Sequence, residues 1–230
     1  MSPSETEPVT VTVDDGISVS GLLQAPRRAR ACVVLAHGAG AGMAHPFMAA
    51  VATGLAQRGI ASLRYQFAYM ERGGKRPDPP KLTQATVRAA VGEALRLLPR
   101  LPLLAGGKSF GGRMTSQAQA LAPLPGVRGL MFLGFPLHPA GRPSRLRGDH
   151  LFDVRIPMLF LQGTRDALAE LGELEPLCEA FGERAVLRLF QDADHSFHVP
   201  ARSGRTDSQV RSEMLDTLAA LIDRVTADPP

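Results

Sequence analysis

The chain has 230 residues, 44% of them hydrophobic and 21% charged, with a formal net charge of +4. That composition is ordinary for a globular protein and is sufficient for one large-cored domain over 1–230. It excludes a membrane span, since no run of about 18 apolar residues occurs, and it argues against a nucleic-acid partner, because the arginines are scattered and there is no Trp for a stacking platform.

In chain order, Met1–Gly16 has neither a basic n-region nor an apolar h-region, which argues against a secretory signal. Val9–Val13 and Ile17–Leu23 alternate with period two around Asp14-Asp15-Gly16, the pattern of a hairpin. Cys32–Ala36 reads as a buried strand. Pro46–Arg58 follows as a helix closed by Gly59, and Ile60–Tyr65 as a strand. The Pro- and Gly-rich stretch Arg72–Pro80 is a loop. Thr83–Leu98 is helical, with Val87, Val91, Ala94, Leu95 and Leu98 on one face. Leu101–Ala105 is a strand, and a helix opens at about Ser109. Leu130–Leu133, Met158–Leu161 and Ala185–Phe190 are further strands; Leu168–Phe181 and Ser208–Val225 are helices. The ends, Met1–Pro8 and Asp228–Pro230, read as loose. The two cysteines, Cys32 and Cys178, lie on a strand and a helix. They read as small core residues with neither disulfide nor metal spacing, which fits a reducing cytoplasm. This alternation predicts an α/β fold with an antiparallel entry and six parallel strands, and in such a sheet chemistry sits at the carboxyl ends of the strands.

Two motifs fall at those ends. Gly107-Lys108-Ser109-Phe110-Gly111 is a G-x-S-x-G elbow between a strand and a helix. The serine hydroxyl stands above the sheet edge, and Gly106, Gly107, Gly111 and Gly112 leave room for backbone that passes close. His37-Gly38-Ala39-Gly40 follows the strand Cys32–Ala36, so the amides of Ala39 and Phe110 are the expected oxyanion donors. His37, Gly40 and Lys108 are candidate substrate contacts, and for His37 the favoured role is structural, tying the loop down through hydrogen bonds.

The acid belongs after the next-to-last strand, and Asp166 ends the turn Gln162–Asp166 there. Asp149 and Asp153 precede that strand. The base belongs after the last strand, where His195 comes first and His198 is its rival. His45, His138 and His150 follow other strands. The chain order Ser109, Asp166, His195 is that of α/β-hydrolases. The predicted reaction is attack of Ser109 on an acyl carbonyl with His195 as base and Asp166 orienting it, with no metal or cofactor.

These residues carry a family resemblance. Ala36–Gly40, Gly107–Met114, Leu133–Pro139, Gln162–Asp166 and Asp194–Phe197 together resemble the dienelactone-hydrolase-like α/β-hydrolases over roughly residues 31–225, and most closely a branch of small, lidless members. The resemblance implies an eight-stranded, mostly parallel sheet with helices on both faces. One feature departs from it: dienelactone hydrolases proper use a cysteine nucleophile, and serine stands here. Ring opening of a lactone therefore does not carry over, whereas ester chemistry does.

The expected function is cleavage of a small carboxylic ester or related acyl substrate by a serine hydrolase acting as a monomer or homodimer. The alternatives are an acyltransferase and a non-enzymatic interaction module, the latter because animal members of the branch include a subunit of a histone-acetyltransferase complex. The connection Gly134–Pro157, where a lid domain would sit, is too short to build one. Two loops at the same sheet edge are basic, with Arg72, Lys75 and Arg76 in one and Arg142, Arg145 and Arg147 in the other. They draw anionic substrates or are simply solvated surface.

Overall fold

A long hairpin, β1 (Thr6–Asp14) and β2 (Ile17–Gln24), leads the chain into the edge of an eight-stranded sheet. The computed structural model describes residues 5–14 and 16–227. Asp15 of the hairpin turn, Met1–Ser4 and Asp228–Pro230 lie outside them. The expectation of a loose start through Pro8 is corrected: Thr6, Glu7 and Pro8 pair with Gln24, Leu23 and Leu22. Pro8 is tolerated because β1 is an edge strand.

The remaining strands are β3 (Ala31–Ala36), β4 (Ile60–Tyr65), β5 (Leu103–Lys108), β6 (Val127–Leu133), β7 (Met158–Gly163) and β8 (Ala185–Phe190). Their spatial order is β1-β2-β4-β3-β5-β6-β7-β8; β2 joins β4 antiparallel, and β3 through β8 are mutually parallel.

The central strands are buried on both faces, which is why they read as unbroken apolar runs. In β3, Cys32, Val34 and Ala36 enter one core, and Ala31, Val33 and Leu35 the other. The first core is covered by α3 (Pro80–Leu97) through Val87, Ala90, Val91 and Ala94, by α4 (Phe110–Leu121) and by α5 (Leu171–Ala180). The second is covered by α1 (Pro46–Gln57) and α6 (Asp207–Ala227). A short helix α2 (Ala68–Glu71) follows β4. Cys32 and Cys178 are free and buried, and burial pushes both thiols up to about 12.

Three boundaries differ from expectation for local reasons. α3 starts at Pro80, since the first turn of a helix tolerates proline. β5 continues through Gly106 and Gly107 because side-chain-free positions fit the narrow gap between its neighbours. α5 starts three residues later than Leu168. The backbone there is diverted: the Leu168 carbonyl accepts from His138 N–H at 2.9 Å, and Glu170 N–H donates to His138 Nε2 at 3.0 Å. The β6–β7 connection holds one 3₁₀ segment, Leu146–Asp153, and no lid.

Candidate active site

β5 runs toward the carboxyl edge and ends one residue before Ser109, and α4 begins one residue after it. Ser109 has φ 51° and ψ −116°, a conformation that costs a side-chain-bearing residue of order 1–3 kcal/mol. The turn is held by its surroundings: Ser109 N–H donates to the Leu133 carbonyl at 3.2 Å, and Arg113 N–H donates to the Ser109 carbonyl at 3.1 Å. A Cβ at Gly107 would strike the Ala36 carbonyl, and one at Gly111 the His37 carbonyl. No other residue fits these two positions without moving β3 or its loop.

Ser109 Oγ donates to His195 Nε2 at 2.8 Å, and His195 Nδ1–H donates to Asp166 Oδ2 at 2.6 Å. The Asp166 side chain is fully buried, whereas that of His195 is 25% exposed. The acid is fixed from two sides. Leu168 N–H donates to Oδ1 at 2.8 Å, and the Gln162 amide donates to Oδ2. Gln162 Oε1 in turn accepts Phe135 N–H at 2.9 Å. Gln162 was not singled out from sequence; its one signal is a polar residue at the buried end of an apolar strand.

The rivals are engaged elsewhere. His198 is solvent-exposed and pairs with Asp207 at 3.0 Å, which raises the imidazole pKa and lowers that of the carboxyl. His150 contacts the Ser116 hydroxyl at 2.7 Å and is pushed down to about 4 by burial and then by Arg113. His138 holds the Pro139 carbonyl and Glu170 N–H, and His45 accepts Phe47 N–H at the start of α1. Asp149 and Asp153 are exposed on the 3₁₀ segment.

His37 takes the structural role favoured for it, and Lys108 is engaged within the protein. His37 is wholly buried. Its Nδ1–H donates to the Gly38 carbonyl at 2.8 Å, and its Nε2 accepts Phe67 N–H at 3.1 Å, so it anchors the loop and has no nitrogen left for a ligand. Burial accordingly lowers its pKa. Lys108 also turns inward: its ammonium donates to the His195 carbonyl at 2.6 Å. Gly40, at φ 76°, offers only backbone at the exposed loop tip beside Ala39. The loop lies on the elbow, because a Cβ at Gly38 would sit 3.9 Å from Ser109 Cβ. Phe110 is the first residue of α4, so its N–H has no acceptor within the helix. Its ring packs edge-on against Phe67, with centroids 5.4 Å apart.

A strained serine at the carboxyl edge of a doubly covered parallel sheet, bonded through histidine to a buried aspartate, defines the α/β-hydrolase class of architecture. The chain belongs to the alpha/beta hydrolase domain family, whose model matches residues 29–223. Solved structures share the fold. A dienelactone hydrolase from Anabaena variabilis is 22% identical with a TM-score of 0.75, over 93% of this chain and 96% of that one. A serine hydrolase without lid from Xanthomonas campestris is 19% identical with a TM-score of 0.70, over 99% and 98%. An esterase from Pyrococcus furiosus is 17% identical with a TM-score of 0.74, over 96% and 93%. No helix among the described residues is long and apolar enough to cross a membrane.

Proposed function

We propose that the protein is a serine hydrolase that cleaves a small carboxylic ester through an acyl-enzyme. The observation that carries this reading is the unbroken hydrogen-bonded series Ser109–His195–Asp166, with the serine at a strained elbow. Ser109 Oγ attacks the acyl carbon while His195 Nε2 takes its proton. Asp166 holds the imidazole in the Nδ1–H tautomer and stabilises the imidazolium. The Ala39 and Phe110 amides receive the developing oxyanion. Collapse of the tetrahedral intermediate expels the alkoxide, which takes the proton from His195. Water, deprotonated by the same nitrogen, then attacks the acyl-enzyme and releases the acid and free Ser109.

A single hydrolase domain with a short β6–β7 connection suits small acyl groups in an open site, and the esterase and lidless-hydrolase neighbours support the same class. The buried free thiols are in keeping with a reducing compartment such as the cytoplasm. The test is labelling with a fluorophosphonate, followed by mapping of the modified peptide. Modification at Ser109 supports the reading. A folded, unlabelled protein favours the interaction module, and faster release of the acyl group to an added alcohol than to water favours acyl transfer.

A further inference from the structure

We infer that Phe67 and Tyr69 are positioning residues of the oxyanion site, holding the loop that carries Ala39 and the start of α4 that carries Phe110 at one fixed spacing. The inference rests on the hydrolase reading above and adds to it the side chains that set the distance between the two amides.

The two amides come from different elements, and the sheet reaches neither. β3 and β5 are paired as far as Ala36 and Gly107. Beyond that pair one chain enters the loop Gly38–Gly40, and the other enters the elbow and α4. Glycine lets the two backbones come close, since a Cβ at Gly111 would strike the His37 carbonyl. That contact limits how near they come. Among the described residues no backbone hydrogen bond joins Gly38–Gly40 to Phe110–Arg113 and keeps them from parting.

A third element spans the gap. β4 pairs with β3 up to Tyr65 and Ala36, so the residues after Tyr65 emerge beside the loop. Phe67, just before α2, donates its N–H to His37 Nε2 at 3.1 Å, and His37 Nδ1–H donates to the Gly38 carbonyl at 2.8 Å. The Phe67 ring meets that of His37 edge-on at 5.0 Å and that of Phe110 edge-on at 5.4 Å. Tyr69, within α2, repeats both contacts, at 6.2 Å from His37 and 6.4 Å from Phe110, and stacks on Phe67 at 6.3 Å. Both rings are buried. The segment is itself anchored to β2: Gln66 N–H donates to the Ser20 carbonyl at 2.8 Å, and Ser20 N–H and Oγ donate to the Glu71 carboxylate at 3.0 and 2.7 Å. Two packed rings thus touch both halves of the site from a fixed base. Donors stabilise a developing oxyanion only at hydrogen-bond distance, and close-packed rings resist the small drift that would lose it.

The experiment sets Phe67→Leu and Tyr69→Leu against the wild type and Tyr69→Phe, with each protein confirmed folded at the assay temperature. It measures kcat and KM for a neutral aryl ester. It also measures the Ki of a matched aryl trifluoromethyl ketone, whose hemiketal with Ser109 puts an oxyanion between the two amides while the serine proton rests on His195. The expected result is a kcat lower by about tenfold or more in each leucine variant, a Ki higher by a similar factor, and a KM within about twofold. Tyr69→Phe, which keeps the ring, should recover most of both losses. The histidine step in the pH profile should stay in place, because Ser109, His195 and Asp166 keep their bonds. Leucine variants with wild-type kcat and Ki, a lower kcat at unchanged Ki, or a shifted histidine step overturn the inference and leave the hydrolase reading standing. If the wild type cleaves no test ester, rates of fluorophosphonate labelling replace kcat; a folded wild type that does not label removes the hydrolase reading and this inference with it. Should Phe67→Leu fail to fold, Tyr69→Leu decides alone.

Discussion

The Lys108 ammonium donates to the His195 carbonyl at 2.6 Å, so the strand that ends beside Ser109 also holds the loop that carries His195. The ammonium faces the carboxylates of Asp166 and Asp194 and lies 5.8 Å from the centre of the Phe197 ring. Burial, opposed by those two carboxylates, pushes its pKa down to about 8. Below that pH the strap is a charge-assisted hydrogen bond; above it the bond is weaker. We expect kcat/KM for a neutral ester to fall as pH rises past about 8, and Lys108→Met to have a lower kcat without that fall. A wild-type profile flat to about pH 10 would refute the assignment.

The same group makes a stability prediction of opposite sense. A lysine in the unfolded chain titrates near 10.4. Between about pH 8 and 10 the unfolded chain therefore binds a proton that the folded chain has released, and this group makes stability rise with pH in that window. Denaturant midpoints for the wild type should shift upward across the window relative to Lys108→Met. A downward relative shift contradicts the sign.

Ser109→Ala and Ser109→Gly should both abolish ester turnover, and they should differ in stability. Alanine keeps the cost of φ 51° and ψ −116°, and glycine relieves it. The glycine variant should be the more stable by about 1 kcal/mol in urea denaturation, after its greater unfolded-state entropy is set against the relieved strain. Equal midpoints would mean that the elbow is unstrained.

His195→Ala should lower kcat by on the order of 10³ or more, because members of a triad act as a unit. His198→Ala should stay within a small factor of wild type, since that imidazole is exposed and tied to Asp207. The reverse ranking, read in one aryl-ester assay, would move the base to His198.

Gln162 joins the Phe135 backbone to the Asp166 carboxylate, so on the hydrolase reading it acts through Asp166 as a positioning residue. Gln162→Met should reduce kcat about tenfold with little change in KM. It should also cost about 1–3 kcal/mol, because it leaves the buried Phe135 N–H unpaired. Gln162→Glu should be worse in both respects, as it sets a second buried carboxylate against Asp166. A glutamate variant as active as the wild type would show that the amide does not hold the acid.

The strands, their parallel run and the elbow at Ser109 were legible in the sequence because each is a local pattern. Apolar runs of strand length, helical periodicity and glycines around one serine need no knowledge of distant residues. The order of Ser109, Asp166 and His195 followed from the rule that loops at strand carboxyl ends share one edge. What the tertiary structure alone decided was which side chains meet there. His195 and His198 share one short turn, and only the fold turns the first toward Ser109 and the second toward Asp207. The loop-tying role of His37 was legible from its position, but its partner, the Phe67 N–H, was not, and neither was the tie from Lys108 to the His195 carbonyl. Gln162 gave little sign of its own, because it matters through a backbone N–H on the neighbouring strand's loop. Such contacts join residues tens of positions apart, and their geometry depends on sheet register and loop path, which no periodicity within a single segment encodes.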